Sequence, residues 1–421
     1  MIYASIITIG DELLIGQVID TNSAYLAQQL NKAGFIVQCR VAVGDNAAAI
    51  KAALDTEKLR SQIILITGGL GPTADDITKP MLCDYFGGKL IVNSEAYDNV
   101  KNIITHILKR PFTERNQKQA EVPDVCTVLQ NKRGTAPGMV FTQLVNNHHT
   151  IFVSMPGVPY EMMGMMELDV IPLLKAQFTT QSIAHRTLVL AGVGESTIAD
   201  LLTTYEAQLP ANTTLAYLPS YGMLRLRLTA THPSEAENNI QIDQLFYTLQ
   251  QHVLPYLVSI TDEPLQNTVA QLLQKNNKTI STAESCTGGY IAHLFTSIEG
   301  ASSFFEGSII SYSNHAKQSL LQVANQTLID NGAVSQAVVI QMAKGALLQF
   351  NTSYTIAVSG IMGPGGGTPN KPIGTVWICV GSPKSLVAEQ FHFRFDRALN
   401  IKLTAAAGIN MLRKLILAEN I

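Results

Sequence analysis

The stretch IILITGG, residues 63–69, limits the fold of this chain more than any other feature. A short unbroken apolar run that ends in glycines reads as a buried strand, too brief for an ordinary helix. Similar pieces lie before and after it: YASIITIG (3–10), FIVQCRVAV (35–43) and TIFVSMPG (150–157). Helix-like pieces separate them. TNSAYLAQQLNKAG (21–34) has Thr21 or Asn22 as its cap and Gly34 as its stop, and another helix covers 46–60. Strands alternating with helices give an α/β domain whose parallel sheet carries helices on both faces. Such sheets bind ligands at the carboxyl ends of their strands.

The chain has 421 residues, enough for two or three domains. Its net charge of −3 gives no domain-wide basic surface, so a nucleic-acid partner is not expected. Its longest apolar runs are far too short to cross a bilayer, so no membrane association is expected. MIYASIITIGDELL lacks a basic leader and reads as a first strand, not a signal peptide. The five cysteines, Cys39, Cys83, Cys126, Cys286 and Cys379, form no CxxC pair. Their scatter argues against a zinc site or disulfide framework and for a reducing, cytoplasmic setting.

Three segments are expected: 1–172, 180–260 and 264–421. The middle one reads β-α-β-β-α-β, the split βαβ order, with MLRLRLTA alternating strictly from Leu224 to Leu228. A nucleic-acid-binding relative of this arrangement needs a Gly-x-x-Gly clamp, and AGVGES offers only Gly192 and Gly194. A spacer or dimerisation role is expected. After TDEPLQN (261–267) a second α/β unit begins and ends in a helix from about 397 to 417.

STAESCTGGY (281–290) in that unit joins a strand to a helix through two glycines. Free N–H groups at a helix start can hold an anion or an oxyanion beside Ser285. Alternatively, Ser285 and Thr287 only cap the helix. A serine needs a base, and Lys317 in SYSNHAKQSL is the candidate, 32 residues on, provided burial lowers its pKa. Otherwise it is a surface charge. His315 reads as structural. VSGIMGPGGGTPNKPIGTV (358–376) sets Gly365, Gly366 and Gly367 in a row, either against a ligand or in a free loop. Asp396 reads as the cap of the final helix. Arg397 in its first turn opposes the helix dipole and implies an anion partner.

TAESCTGG, YSNHAK, GAVS, SGIMGPGGGTPNKPIGTV and DR, in that order, resemble the C-terminal domain of the CinA (competence/damage-inducible protein A) family. That domain is similar to bacterial nicotinamide mononucleotide deamidase. The resemblance covers about 155 residues and implies hydrolysis of the nicotinamide carboxamide, giving nicotinic acid mononucleotide and ammonia. It puts the serine–lysine pair on Ser285 and Lys317, the tyrosine on Tyr312 and the arginine on Arg397, with no cofactor. Cys286, Thr287, Gly288, Gly289, Ser359, Gly360, the three loop glycines and Arg397 would bind the mononucleotide. Cys286 is the rival nucleophile, since a thiol is intrinsically more reactive.

GDELLIGQVIDTN, VGDN and TGGLGPTADDIT lie at the ends of N-terminal strands. GGLGPT suits a phosphate but is neither a Walker loop nor a dinucleotide fingerprint. Asp45, Asp75 and Asp76 are candidate ligands for a divalent ion, with Asp11 and Glu12 weaker ones, and Asp76 alternatively caps a helix. Together with RNQKQAEVP, GTAPG and MPGVPYEM, these motifs resemble the N-terminal domain of the same family, which has a three-layer molybdopterin-binding fold. The resemblance implies metal-dependent cleavage of ADP-ribose to AMP and ribose 5-phosphate. Asp76 and Asp45 would hold the metal; Gly68, Gly69, Gly71 and Thr73 would cradle the diphosphate, with Lys118 as charge partner. Gln117 stands where an arginine is frequent in the family. The alternative is a nucleotide- or pterin-binding module without activity. The resemblance also implies a homodimer.

Overall fold

The computed structural model describes residues 1–73, 76–220 and 222–419. The chain forms two compact units, residues 1–184 with 230–240, and residues 185–229 with 241–421.

The first unit is built on a six-stranded sheet. Its strands are β1 (Tyr3–Ile9), β2 (Ile36–Val43), β3 (Ile63–Thr67), β4 (Thr127–Leu129), β5 (Gly138–Val145) and β6 (His148–Met155), in the order β2-β1-β3-β6-β5-β4. The first four in that order pair in parallel. β5 and β4 add an antiparallel edge that the expected all-parallel sheet lacks. The reason is local. Asn146 and Asn147 both take positive φ, 48° and 63°, and turn β5 tightly into β6.

The IILIT run of β3 is buried on both faces. Ile63 and Leu65 pack into one core with Ile6, Leu26 and Met162, while Ile64 and Ile66 pack into another with Ile50, Leu54 and Phe152. Side-chain alternation along a strand produces this division. Each of these four buried side chains contributes about 1.5–3 kcal/mol of transfer free energy. The helices flanking the sheet include α1 (Thr21–Lys32), α2 (Ala47–Glu57), α3 (Thr78–Tyr85) and α4 (Glu114–Gln119). α1 is capped by Asp20, whose carboxylate accepts from Ser23 N at 2.9 Å. Thr21 and Asn22 are thus inside the helix, not its caps.

Two further sheets follow along the chain. In the first, β7 (Ser182–Ala191), β8 (Thr213–Ser220), β9 (Met223–His232) and β10 (Leu257–Ser259) lie in the order β8-β9-β7-β10. Leu224, Leu226 and Leu228 of β9 are buried, as the strict alternation requires. Helices α5 (Glu195–Ala207) and α6 (Glu235–Val253) complete the split βαβ order.

The C-terminal sheet has β11 (Ile280–Glu284), β12 (Phe305–Ile310), β13 (Tyr354–Gly360), β14 (Thr375–Gly381) and β15 (Leu386–His392), in the order β12-β11-β13-β14-β15. β11 is parallel to both neighbours, and β13, β14 and β15 run antiparallel. Ile280 and Ile356 join one core with Phe295, Ile409 and Leu412; Ala283 and Ala357 join another with Val339 and Met342. The helices are α7 (Leu265–Lys275), α8 (Tyr290–Thr296), α9 (Asn314–Leu321), α10 (Gln336–Phe350) and α11 (Arg397–Glu419). Among the described residues no helix is long and apolar enough to cross a membrane.

Candidate active sites

At the carboxyl end of β11 the chain turns sharply into α8. Glu284, the last residue of β11, is fully buried and organises this turn. Its Oε2 accepts from Thr287 Oγ1 at 2.6 Å, Gly289 N at 3.0 Å and Ile291 N at 3.1 Å, and its Oε1 accepts from Ala292 N at 2.8 Å. A carboxylate at a helix start satisfies orphan donors and favours the helix dipole. Gly289 sits at φ 98°, a left-handed conformation that a side chain would strain. The sequence showed an acid before Ser285 but gave it no role. Glu284 now accounts for much of the turn's geometry.

Ser285 follows directly, almost buried, with its N–H donating to Val358 O at 3.1 Å. Lys317 comes from α9, one turn beyond the cap Ser313, whose hydroxyl accepts from Ala316 N. Lys317 is only 1% exposed, so it is not a surface charge. Its Nζ lies 2.8 Å from Ser285 Oγ and 2.7 Å from Ser311 O. Burial pulls its pKa below the ordinary lysine value, as a base role needs. Among the described residues no carboxylate forms a salt bridge with the amine.

Cys286 is also buried, and burial pushes its thiol up to about 12. A thiol held that high carries almost no thiolate at neutral pH, which removes its advantage over the serine. Of the turn donors expected to face an oxyanion, Glu284 takes that of Gly289. Among the described residues those of Thr287 and Gly288 have no acceptor, and that of Cys286 faces its own sulfur. Thr287 spends its hydroxyl on Glu284.

Tyr312 is exposed, and its Oη accepts from Arg397 Nη2 at 2.9 Å. Arg397 Nη1 donates to Gly363 O at 2.9 Å, which ties α11 to the glycine-rich loop. Tyr312 is thus partnered with Arg397 and makes no hydrogen bond to Ser285 or Lys317. Asp396 caps α11, accepting from Leu399 N at 2.8 Å. Ser359 is buried and donates to Ala333 O at 2.7 Å. Gly360 lies beside Cys286, where an added Cβ would stand 3.2 Å from the sulfur. Gly365, Gly366 and Gly367 are exposed, and among the described residues nothing beyond its chain neighbours comes within 4 Å of a Cβ added at Gly365. His315 is exposed.

In the first unit the glycine motif divides between two cavities. Gly68 lines a cavity of about 160 Å³ with Thr8, Glu12, Asn22 and Gly157. Gly71 and Thr73 line another of about 510 Å³ with Asp76, Lys79, Arg115 and Lys118. Gly69 takes φ 64°, and a Cβ there would stand 2.1 Å from Thr78 Oγ1, so only glycine fits. Asp45 clasps the GDE turn: its N–H donates to Asp11 Oδ1 and its Oδ2 accepts from Asp11 N, both at 3.1 Å. Asp75 lies outside the described residues. Lys118 is exposed and stands 3.8 Å from Glu114.

Asp76 is half of a loop staple. It accepts from Gly71 N and Thr73 N at 2.8 Å each and from Thr73 Oγ1 at 2.5 Å. Among the described residues these bonds take three of the roughly four lone-pair positions of the carboxylate. Among the described residues no three His, Cys, Asp or Glu side chains converge on a metal position. This donor set does not form a protein cage. It fits an ion that keeps its waters and takes one or two carboxylates plus phosphate oxygens, as magnesium does.

Family models match all three parts of the chain. Residues 5–176 match the probable molybdopterin binding domain, 185–258 the damage-inducible protein CinA KH domain, and 262–416 the CinA C-terminal domain. A CinA-like protein of Cytophaga hutchinsonii is 42% identical over 413 residues, 98% of this chain and 98% of the relative. A CinA-like protein of Chloroherpeton thalassium is 39% identical, covering 99% of this chain and all of the relative. The competence/damage inducible protein CihA from Agrobacterium tumefaciens has a crystal structure that overlaps 36% of this chain and 93% of its own, at 34% identity and a TM-score of 0.36. With its molybdopterin-binding-like, KH and C-terminal domains in one polypeptide, the chain belongs to the CinA family.

Proposed function

We propose that the C-terminal site is a nicotinamide-nucleotide amidase and the N-terminal site an ADP-ribose pyrophosphatase, making the chain a bifunctional enzyme of pyridine-nucleotide recycling. The observation that carries the first half is the 2.8 Å pairing of Ser285 Oγ with a buried lysine amine that forms no salt bridge among the described residues.

Neutral Lys317 takes the Ser285 proton as Oγ attacks the carboxamide carbon. The turn N–H groups of Thr287 and Gly288 face the developing oxyanion. Lys317 then returns the proton to the leaving nitrogen, the C–N bond breaks and ammonia departs. Water attacks the resulting ester, with Lys317 again accepting a proton, and Ser285 is released with nicotinic acid mononucleotide. Ser311 O holds the amine in place throughout. Arg397, steadied by Gly363 and Tyr312, supplies a planar cation for the phosphate.

At the N-terminal site Asp76 is hydrogen-bonded to Gly71 and Thr73 at the wall of a cavity that also carries Lys79, Arg115, Lys118, Glu114 and Glu121. This loop would orient the diphosphate, and Asp76 and Asp45 would hold the divalent ion. The ion would supply charge neutralisation of the diphosphate. The match to a molybdopterin binding domain favours a second reading for this unit, binding of a pterin without turnover. The five unpaired cysteines fit a cytoplasmic setting.

The test incubates the purified protein separately with nicotinamide mononucleotide and with ADP-ribose plus a divalent ion. Ammonia in the first case and AMP in the second are expected. Neither product would leave a binding module.

A further inference from the structure

Lys79 has no assigned role, yet its position is unusual. It is the second residue of α3, where a positive charge opposes the helix dipole. Its side chain is buried, 9% exposed. Nζ donates to Gln119 O at 3.0 Å and Lys118 O at 3.2 Å, at the carboxyl end of α4. These bonds take two of its three protons. Burial pulls its pKa down to about 8, and Glu121 and Asp76 only partly offset this. No salt bridge joins Lys79 to a carboxylate among the described residues.

Lys79 also lines the 510 Å³ cavity, together with Gly71, Thr73, Asp76, Arg115 and Lys118. A buried cation with no salt bridge among the described residues is costly, and an anion in the cavity would complete it. Arg115 and Lys118 add positive charge to the same wall, while Glu114 and Glu121 line it too and disfavour a bulk anion. Lys118 is exposed and already faces Glu114, so solvent weakens its pull.

We propose that Lys79 is the buried cation that binds a diphosphate in this cavity, with Lys118 only at its rim. The proposal deepens the pyrophosphatase reading and rests on it only for the identity of the full substrate. The plainer role for Lys79 is to cap α4, and the two roles give different results.

The experiment titrates inorganic pyrophosphate, without metal, into the full-length chain by calorimetry. Lys79→Met should weaken binding at least 30-fold. Lys79→Gln keeps donors for the α4 carbonyls without the charge, and should weaken it similarly while melting near the wild type. Lys118→Met should cost threefold or less. Wild-type affinity in Lys79→Gln, or no binding by the wild type, overturns the proposal. ADP-ribose hydrolysis separates the two ideas. Cleavage by Lys79→Gln with unchanged KM sinks the Lys79 role and spares the pyrophosphatase reading. Loss of pyrophosphate binding in the variant, with no ADP-ribose cleavage by the wild type, does the reverse.

Discussion

Lys317→Met isolates the proposed base from the rest of the proposed amidase site. Lys317 is 1% exposed, and its amine makes two contacts, to Ser285 Oγ and Ser311 O. Methionine has a similar volume and removes the cost of a desolvated amine. It leaves Ser311 O without its donor, at about 1–3 kcal/mol. The two effects oppose each other, so stability should change by less than about 2 kcal/mol. General-base catalysis contributes about 10²–10⁴-fold, so kcat for nicotinamide mononucleotide should fall about a thousandfold with little change in KM. Lys317→Arg should be equally inactive, because a guanidinium cannot give up its proton in this range.

The pH profile gives an independent check. The base works only when neutral, so kcat/KM should climb with pH and level off below the ordinary lysine range, since burial lowers the Lys317 pKa. The linkage to stability has the same sign. Between the lowered folded pKa and the unfolded value, the unfolded chain binds the extra proton, so the Lys317 contribution rises with pH. Ammonia release and urea denaturation across the pH range measure both. A Lys317→Met enzyme within tenfold of wild type, with its melting temperature intact, would refute the base role.

Glu284→Ala removes the acceptor for three N–H groups and the hydroxyls of Thr282 and Thr287 in a buried turn, and should cost about 3–5 kcal/mol in denaturant unfolding. Cys286, with its thiol at about 12, should resist iodoacetamide at pH 8 in the folded protein, as peptide mass mapping would show; rapid alkylation would contradict its burial. Tyr312→Phe frees Arg397 from one partner at an exposed position, and should raise KM a few-fold while sparing kcat. Asp76→Asn should remove ADP-ribose cleavage and spare deamidation. Equal loss of both activities would indicate a folding defect.

Strands buried on both faces, such as IILIT, were legible because an unbroken apolar run leaves few alternatives. The antiparallel edge was less so, although the Asn146–Asn147 pair carried its turn signal. Ser285 and Lys317 were named by the resemblance to a family, and their contact is tertiary, across 32 residues. Glu284 and Lys79 carry no legible signal in the sequence, for one reason. An acid before a turn and a lysine early in a helix look like surface residues until burial is known. The glycine motif read as a single cradle, whereas its residues divide between two cavities because the backbone reverses at Gly68 and Gly69, both at positive φ.

The central claim is that Ser285, activated by Lys317, attacks the nicotinamide carboxamide. Ammonia release from nicotinamide mononucleotide, measured for the wild type, Ser285→Ala and Cys286→Ala side by side, tests it most directly. Release should vanish in Ser285→Ala and persist near the wild-type rate in Cys286→Ala. Activity in Ser285→Ala, or its loss in a folded Cys286→Ala, would contradict the mechanism.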